Sequence, residues 1–330
     1  MIQNIKIAGI GILTIIVLFA TYAFTPKESG YSMLPDKIIS SMLPKLSDYG
    51  IYEKNAADLI PSGSYKVYEP SSGSFTDYAE KQRLIKVPNG FKLIAKDDGL
   101  PDFPKGTILV KTFYYFNEGK KQIIETRVII KTGTDWIAGT YKWNSEQTDA
   151  LLITKGANLP VTFTDKKGDT RNINYHIPDA KDCAKCHKSN GEFLPIGIKI
   201  RNLNNDIEHN GKNINQLESL RNDGILAIDE ISGYEKLPDW EDESIPLDKR
   251  ARAYLDVNCA FCHSDGGYCS FLNIIKLRLG YEIPFEETRI AKKTERLVKL
   301  MSKKKMPYIG ATIVDDEGLS LIKEYLKSIK

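Results

Sequence analysis

Apolar and polar positions divide the chain into stretches of different period. Residues 7–24 form an apolar run, broken only by Gly and Thr and preceded by Lys6, which is the pattern of an export signal or a membrane anchor. From about Tyr65 short runs rich in β-branched and aromatic residues recur at 84–87, 91–95, 107–116, 121–131, 134–143 and 159–164. Bounded by turn residues, they read as strands. Asn117-Glu118-Gly119-Lys120 and Asp165-Lys166-Lys167-Gly168-Asp169 supply two turns between them. Farther on the period becomes helical: Ala251, Tyr254, Leu255 and Asn258 share a face behind Asp248, and Leu319, Ile322, Leu326 and Ile329 follow Asp315-Asp316-Glu317. A third helix is expected over 213–221, with Gly224 beyond its end.

The fold expected from these periods is α+β: an N-terminal antiparallel β-rich, sandwich-like domain and then a mainly α-helical region. The aromatics Phe113, Tyr114, Tyr115, Phe116, Trp136, Tyr141 and Trp143 are expected in its core. Composition adds little to that. With 330 residues, 42% of them hydrophobic, the chain can bury two or three modest cores. A net charge of +3 without basic tails gives no reason to expect nucleic acid as a partner.

Cysteine usage changes the picture. Four of the 5 Cys and two of the 4 His fall in one phrase used twice, Cys183-Ala184-Lys185-Cys186-His187 and Cys259-Ala260-Phe261-Cys262-His263. C-x-x-C-H is the spacing that attaches haem c. Two thiols about one helical turn apart can bond the two vinyl groups, and the following His reaches the iron. A zinc site built from two C-x-x-C pairs would usually bring them within about 15–20 residues, and a thioredoxin-like motif would need a βαβ setting. Neither fits, and paired disulfides at this spacing fit less well. Two haem c groups are therefore expected, held covalently by Cys183, Cys186, Cys259 and Cys262, with His187 and His263 as proximal ligands. The expected organisation is then 1–25 signal or transmembrane anchor, 26–64 tether and short elements, 65–178 β-rich domain, 179–244 first haem-binding segment and 245–330 second haem domain.

The phrases Leu46-Ser47-Asp48-Tyr49-Gly50, SFTDYAEKQRLIKVPNG (74–90), FPKGTILVKTFYY (103–115), ETRVIIKTGTDWIAGTYKWNSEQTDA (125–150), LPIGIKIRNLN (194–204) and RAYLDVNCAFCH (252–263) resemble an incompletely characterised family of bacterial exported di-haem c-type cytochromes. In that family a β-rich region precedes two C-x-x-C-H sites. The resemblance covers roughly 44–330 and implies electron transfer outside the cytoplasm. The C-terminal part also resembles small monohaem cytochromes c, in which a Met-Pro loop before the last helix supplies the distal thioether. Met306-Pro307 stands in that place here, so Met306 is the expected partner of His263.

The sixth ligand of the first haem is open: His209 or His176, the two remaining histidines, a methionine such as Met33, Met42 or Met301, or no protein ligand. A filled position suits electron relay, and an open one suits a peroxidase- or oxidase-like enzyme. A ligand-binding β domain with a haem relay is a further alternative. The stretch 289–305, including Lys292, Lys293, Lys303, Lys304 and Lys305, would steer an acidic redox partner toward the second haem. Cys269 is left over and reads as a small hydrophobe. Together with the N-terminal run, which exceeds the usual signal h-region, these features place the expected protein in the bacterial periplasm, anchored to the inner membrane or released by cleavage.

Overall fold

The computed structural model describes residues 42–209, 211–270 and 276–329. The expected anchor, and the part of the expected tether before residue 42, lie outside them. No helix among the described residues is long and apolar enough to cross a membrane.

The first nine strands are β1 (Lys66–Val67), β2 (Glu80–Lys86), β3 (Leu93–Ile94), β4 (Ile108–Asn117), β5 (Lys120–Thr132), β6 (Asp135–Trp143), β7 (Ala150–Ile153), β8 (Ala157–Thr164) and β9 (Thr170–Ile177). Six of them form one antiparallel sheet in the order β1-β2-β4-β5-β6-β7. The β4–β5 hairpin turns through Glu118 and Gly119, with φ of 49° and 76°. Two left-handed residues match the twist of the flanking strands, which is why Gly stands there.

Because side chains alternate across a strand, the sheet has two faces with different partners. Leu84, Ile108, Val110, Val128, Ile130 and Tyr141 point to one face and are covered by Leu46, Tyr49, Ile51, Leu59 and Tyr65. From residue 42 on, the stretch expected as tether and short elements is thus a cover for the sheet. The opposite face falls into three zones. At one end Ile85, Leu109 and Trp136 pack on Ile198, Ile200, Leu203, Leu217 and Leu220. At the other, Phe113, Tyr115 and Ile124 pack on Val161, Phe163, Ile173 and Tyr175 of the β8–β9 hairpin. Arg83, Lys111, Arg127 and Thr140 stand in register between them. The second layer of the expected sandwich is confined to that hairpin. Phe113, Tyr115, Trp136, Tyr141 and Trp143 are buried as core aromatics, whereas Phe116 is exposed.

Seven helices occur among the described residues, so the chain is α+β with a mainly antiparallel β-rich part. The four longest are α1 (Ala180–His187), α2 (Leu247–Asn258), α3 (Thr294–Ser302) and α4 (Asp316–Ser328). Ala251, Tyr254 and Leu255 of α2 share a core with Leu319, Ile322, Tyr325 and Leu326 of α4 and with Met301 of α3. Asp315 caps α4: its carboxylate accepts the Gly318 N–H and the Tyr254 hydroxyl, each at 2.9 Å. The β-rich and helical parts are tied together. Asn258 Oδ1 accepts from Phe75 N at 2.7 Å, buried Asp77 accepts from Thr312 N and Oγ1 at 2.6 and 2.8 Å, and Lys199 pairs with Asp256 at 2.7 Å. All described residues accordingly fall in one compact unit.

The crossing of α2 and α4 is tightest at Gly318, where a Cβ would collide with the ring of Tyr254. Gly→Ala inside a helix ordinarily stabilises by up to about 1 kcal/mol. Gly318→Ala should instead destabilise by about 1–3 kcal/mol, the usual cost of overpacking. A denaturation midpoint that stays level or rises would mean that the two helices do not meet there.

Candidate functional site

The first motif is carried by α1, which begins at Asp179, whose side chain accepts the Asp182 N–H at 2.9 Å. The helix buries none of its own side chains completely. It lies over the polar row of the sheet, and cavities open on both sides of it. His187 ends the helix with its ring stacked on Phe193, 4.9 Å between centroids and 8° between planes. Its Nδ1 lies 2.8 Å from the Leu194 carbonyl oxygen. A carbonyl only accepts, so Nδ1 carries the proton and Nε2 keeps its lone pair. Burial, with the cations of Lys111 and Arg127 nearby, lowers the His187 pKa to about 4. The ring is neutral at physiological pH, the form that ligates metals.

The second motif leaves the end of α2. Cys262 N and His263 N both donate to the Cys259 carbonyl, at 3.1 and 2.9 Å, winding the three side chains into one tight turn. Cys259, Cys262 and His263 open on a mainly apolar cavity of about 300 Å³, to which Met301 and Met306 also contribute. Burial lowers the His263 pKa, and among the described residues its buried Nδ1 has no hydrogen-bond partner. Nε2 lies 3.8 Å from Cys269 Sγ, so the leftover cysteine stands beside this imidazole. Burial raises the Cys259 thiol to about 12 and that of Cys183 above its ordinary value.

The two motifs meet. Cys186 and Cys262 line one cavity, and pairing between their thiols lowers the pKa of Cys186 and raises that of Cys262. Cys262 Sγ lies 3.6 Å from the Lys185 carbonyl, Asn190 N donates to the Gly266 carbonyl at 3.0 Å, and Lys185 Nζ lies over the Tyr308 ring, 5.4 Å from its centroid. Three cavities therefore converge on the first motif. Cys183 and His187 line one of about 370 Å³ against the sheet. Cys186 and His187 line a middle one of about 230 Å³, and Cys186 also lines that of the second motif. These volumes are at or near the lower end of small-molecule sites, roughly 300–1,000 Å³.

The structure does not bring either remaining histidine to His187. His176 Nδ1 lies 2.8 Å from Asn158 Oδ1 and Nε2 3.1 Å from Asp182 Oδ2, so both ring nitrogens are engaged at the surface. His209 stands in a strand of the small hairpin Asp206–His209/Lys212–Asn215, and neither residue lines the three cavities. Met42 does line the sheet-side cavity, packed over Gly139 with its sulfur 3.8 Å from the Tyr49 hydroxyl. Arg83, Lys111 and Arg127 also face this region, as reading the chain for metal ligands does not reveal. Their trace in the sequence is a charged residue at each in-register position of otherwise apolar strands. Lys292, Lys293, Lys303, Lys304 and Lys305 are exposed, and Lys293 and Arg296 line the mouth of the second-motif cavity.

No family model, curated protein or solved structure matches the chain. Among the described residues no three His, Cys, Asp or Glu side chains converge as a site for a bare metal ion. Two thiols and one neutral imidazole at each motif, opening on mainly apolar space and with an unpartnered buried nitrogen at His263, do suit a macrocycle held by thioethers and a ring nitrogen.

In the chain before any group is attached, stability should fall as pH drops from 6.5 toward about 4. Over that window the unfolded His187 binds a proton and the folded ring does not. Denaturation midpoints followed across the window test this: His187→Gln should flatten the slope, and an equally steep fall in the variant would assign it to other groups.

Proposed function

We propose that the protein is an exported di-haem c-type cytochrome that passes electrons between partner proteins in the periplasm or at the cell surface. The observation that carries this reading is the meeting of the two C-x-x-C-H motifs: Cys186 and Cys262 line one cavity, and Cys262 Sγ lies 3.6 Å from the Lys185 carbonyl. Attachment thiols this close would hold two redox groups at neighbouring sites. Cys183 and Cys186 with His187 would hold the first haem, and Cys259 and Cys262 with His263 the second. A covalently held haem supplies one-electron ferric–ferrous chemistry.

The chain's own residues supply position and environment. The Leu194 carbonyl fixes the tautomer of His187, and the Phe193 stack fixes its plane. Leu277, Leu279, Leu297 and Leu300 exclude water from the second cavity. Met306 and Met301 both offer a thioether there. Met306 is favoured because the loop carrying it also brings Tyr308 against Lys185 of the first motif. Met42 lines the sheet-side cavity but packs with Tyr49 in the core on the other sheet face, so no thioether is assigned to the first haem. Electron relay is favoured over the peroxidase- or oxidase-like alternative because the two motifs meet, which suits transfer from one haem to the other. The exposed lysines around the second cavity suit an acidic redox partner, and the apolar run at 7–24 suits attachment to the inner membrane.

Protein made in a host that matures c-type cytochromes should carry two covalent haems by intact mass. Cys183→Ala/Cys186→Ala should carry one, and a wild-type chain with none would sink the reading. Met306→Ala should lose the thioether-to-iron band at the red end of the oxidised spectrum; a band that persists would move the ligand to Met301. Carbon monoxide should not bind the reduced protein promptly, and binding at one haem would favour the enzyme. Electron exchange with an acidic partner should slow steeply with salt, because exposed charges are screened within about 8 Å at physiological ionic strength. Salt-independent rates would remove the lysine rim from docking.

A further inference from the structure

Arg83, Lys111 and Arg127 occupy directly opposed positions on β2, β4 and β5. Like charges directly opposite each other destabilise a sheet, and removing them from bulk water adds a desolvation cost. Among the described residues only one of the three has an ion-pair partner. Arg127 Nε donates to Glu125 Oε2 at 3.1 Å, with a second bond from Nη2 to Oε1, and Glu125 is held by the Tyr175 hydroxyl at 2.6 Å. Among the described residues neither Arg83 nor Lys111 has an ion-pair partner. Two uncompensated cations therefore stand in a half-buried row.

The row faces the first motif. Arg83 and Lys111 line the middle cavity with Cys186 and His187, and Lys111 and Arg127 line the sheet-side cavity with Cys183 and His187. Burial and the neighbouring guanidinium groups push the Lys111 ammonium well below its ordinary pKa, as expected of a cation without its anion. On the reading that haem is attached at Cys183 and Cys186, we infer that Arg83 and Lys111 are its carboxylate site: they receive the two propionate groups and, with the paired Arg127, set the potential of that haem. The same chemistry would also hold a free oxyanion, and the test separates the two.

The test is a redox titration of the purified di-haem protein with both haems resolved, alongside intact mass and far-ultraviolet circular dichroism. Arg83→Gln and Lys111→Gln should each lower the midpoint of the first haem, because losing a nearby positive charge favours the ferric state. The expected size is a tenfold rise in the oxidised-to-reduced ratio at fixed potential, about 59 mV for one electron. The second haem should not move, and Arg83→Lys and Lys111→Arg should restore the first. Lys121→Gln, at the hairpin end of β5 and over the Tyr114 ring, should leave both unchanged. Added phosphate should not shift the wild type. If phosphate does shift it, and the Gln variants abolish the response, a free oxyanion occupies the row and the propionate assignment is overturned. Two haems by mass with an unmoved first midpoint in both Gln variants would overturn this inference alone, whereas no haem in the wild type would overturn the functional reading beneath it.

Discussion

The arrangement of the site depends on how α1 is held. A helix of eight residues is marginal on its own, and this one has no completely buried side chain to anchor it. Its ends do that work instead. Asp179 caps the first turn, Asp182 binds His176 on the neighbouring strand and Lys185 one turn on, and His187 is fixed by Leu194 and Phe193. Just beyond the helix, Asn190 joins the backbone of the second motif at Gly266. His176 thus serves to fasten the helix, which explains why both of its nitrogens are already engaged.

Fastening by the ends leaves the sides of α1 free to line space. A helix docked in the usual way would place an apolar stripe against the sheet and fill the gap between the two apolar zones. Here the sheet offers Arg83, Lys111, Arg127 and Thr140 along that gap, and the cavities persist between helix and strands. The two flanking cores, on Leu109 and on Phe113, clamp the strands on either side. Stability comes from these cores, and the polar row between them is free to serve chemistry.

What the sequence displayed was local. The β4–β5 turn, the Asp315 cap and the thiol spacing are each written within a few consecutive residues, and each has its counterpart in the fold. α3 was hidden because its Lys and Arg obscure the Leu297, Leu300 and Met301 stripe, and β7 because four residues are too few to show a period. The stretch 42–64 looked like a tether because its apolar residues are scattered among Pro, Gly and Ser, yet Leu46, Tyr49, Ile51 and Leu59 all meet the same sheet face. Which side chain faces His187 depends on strand register and on contacts between residues far apart in the chain. Met42 and His209 could not be ranked from their neighbours in the chain.

The two motifs share a spacing but not an environment. His187 donates Nδ1–H to a carbonyl, which makes its other nitrogen the more basic ligand, whereas His263 Nδ1 has no such acceptor among the described residues. A more basic ligand favours the ferric state, while neighbouring cations favour the ferrous one. On the proposed reading the first site therefore sets a basic imidazole against the Arg83–Lys111–Arg127 row, and the second combines a less activated imidazole with a thioether in mainly apolar surroundings, both of which raise the potential. Electrons would then rest more readily on the second haem, the one whose cavity mouth carries Lys293 and Arg296. That order runs from the sheet toward the basic surface, so the face that docks a partner is also the face where the transferred electron would wait.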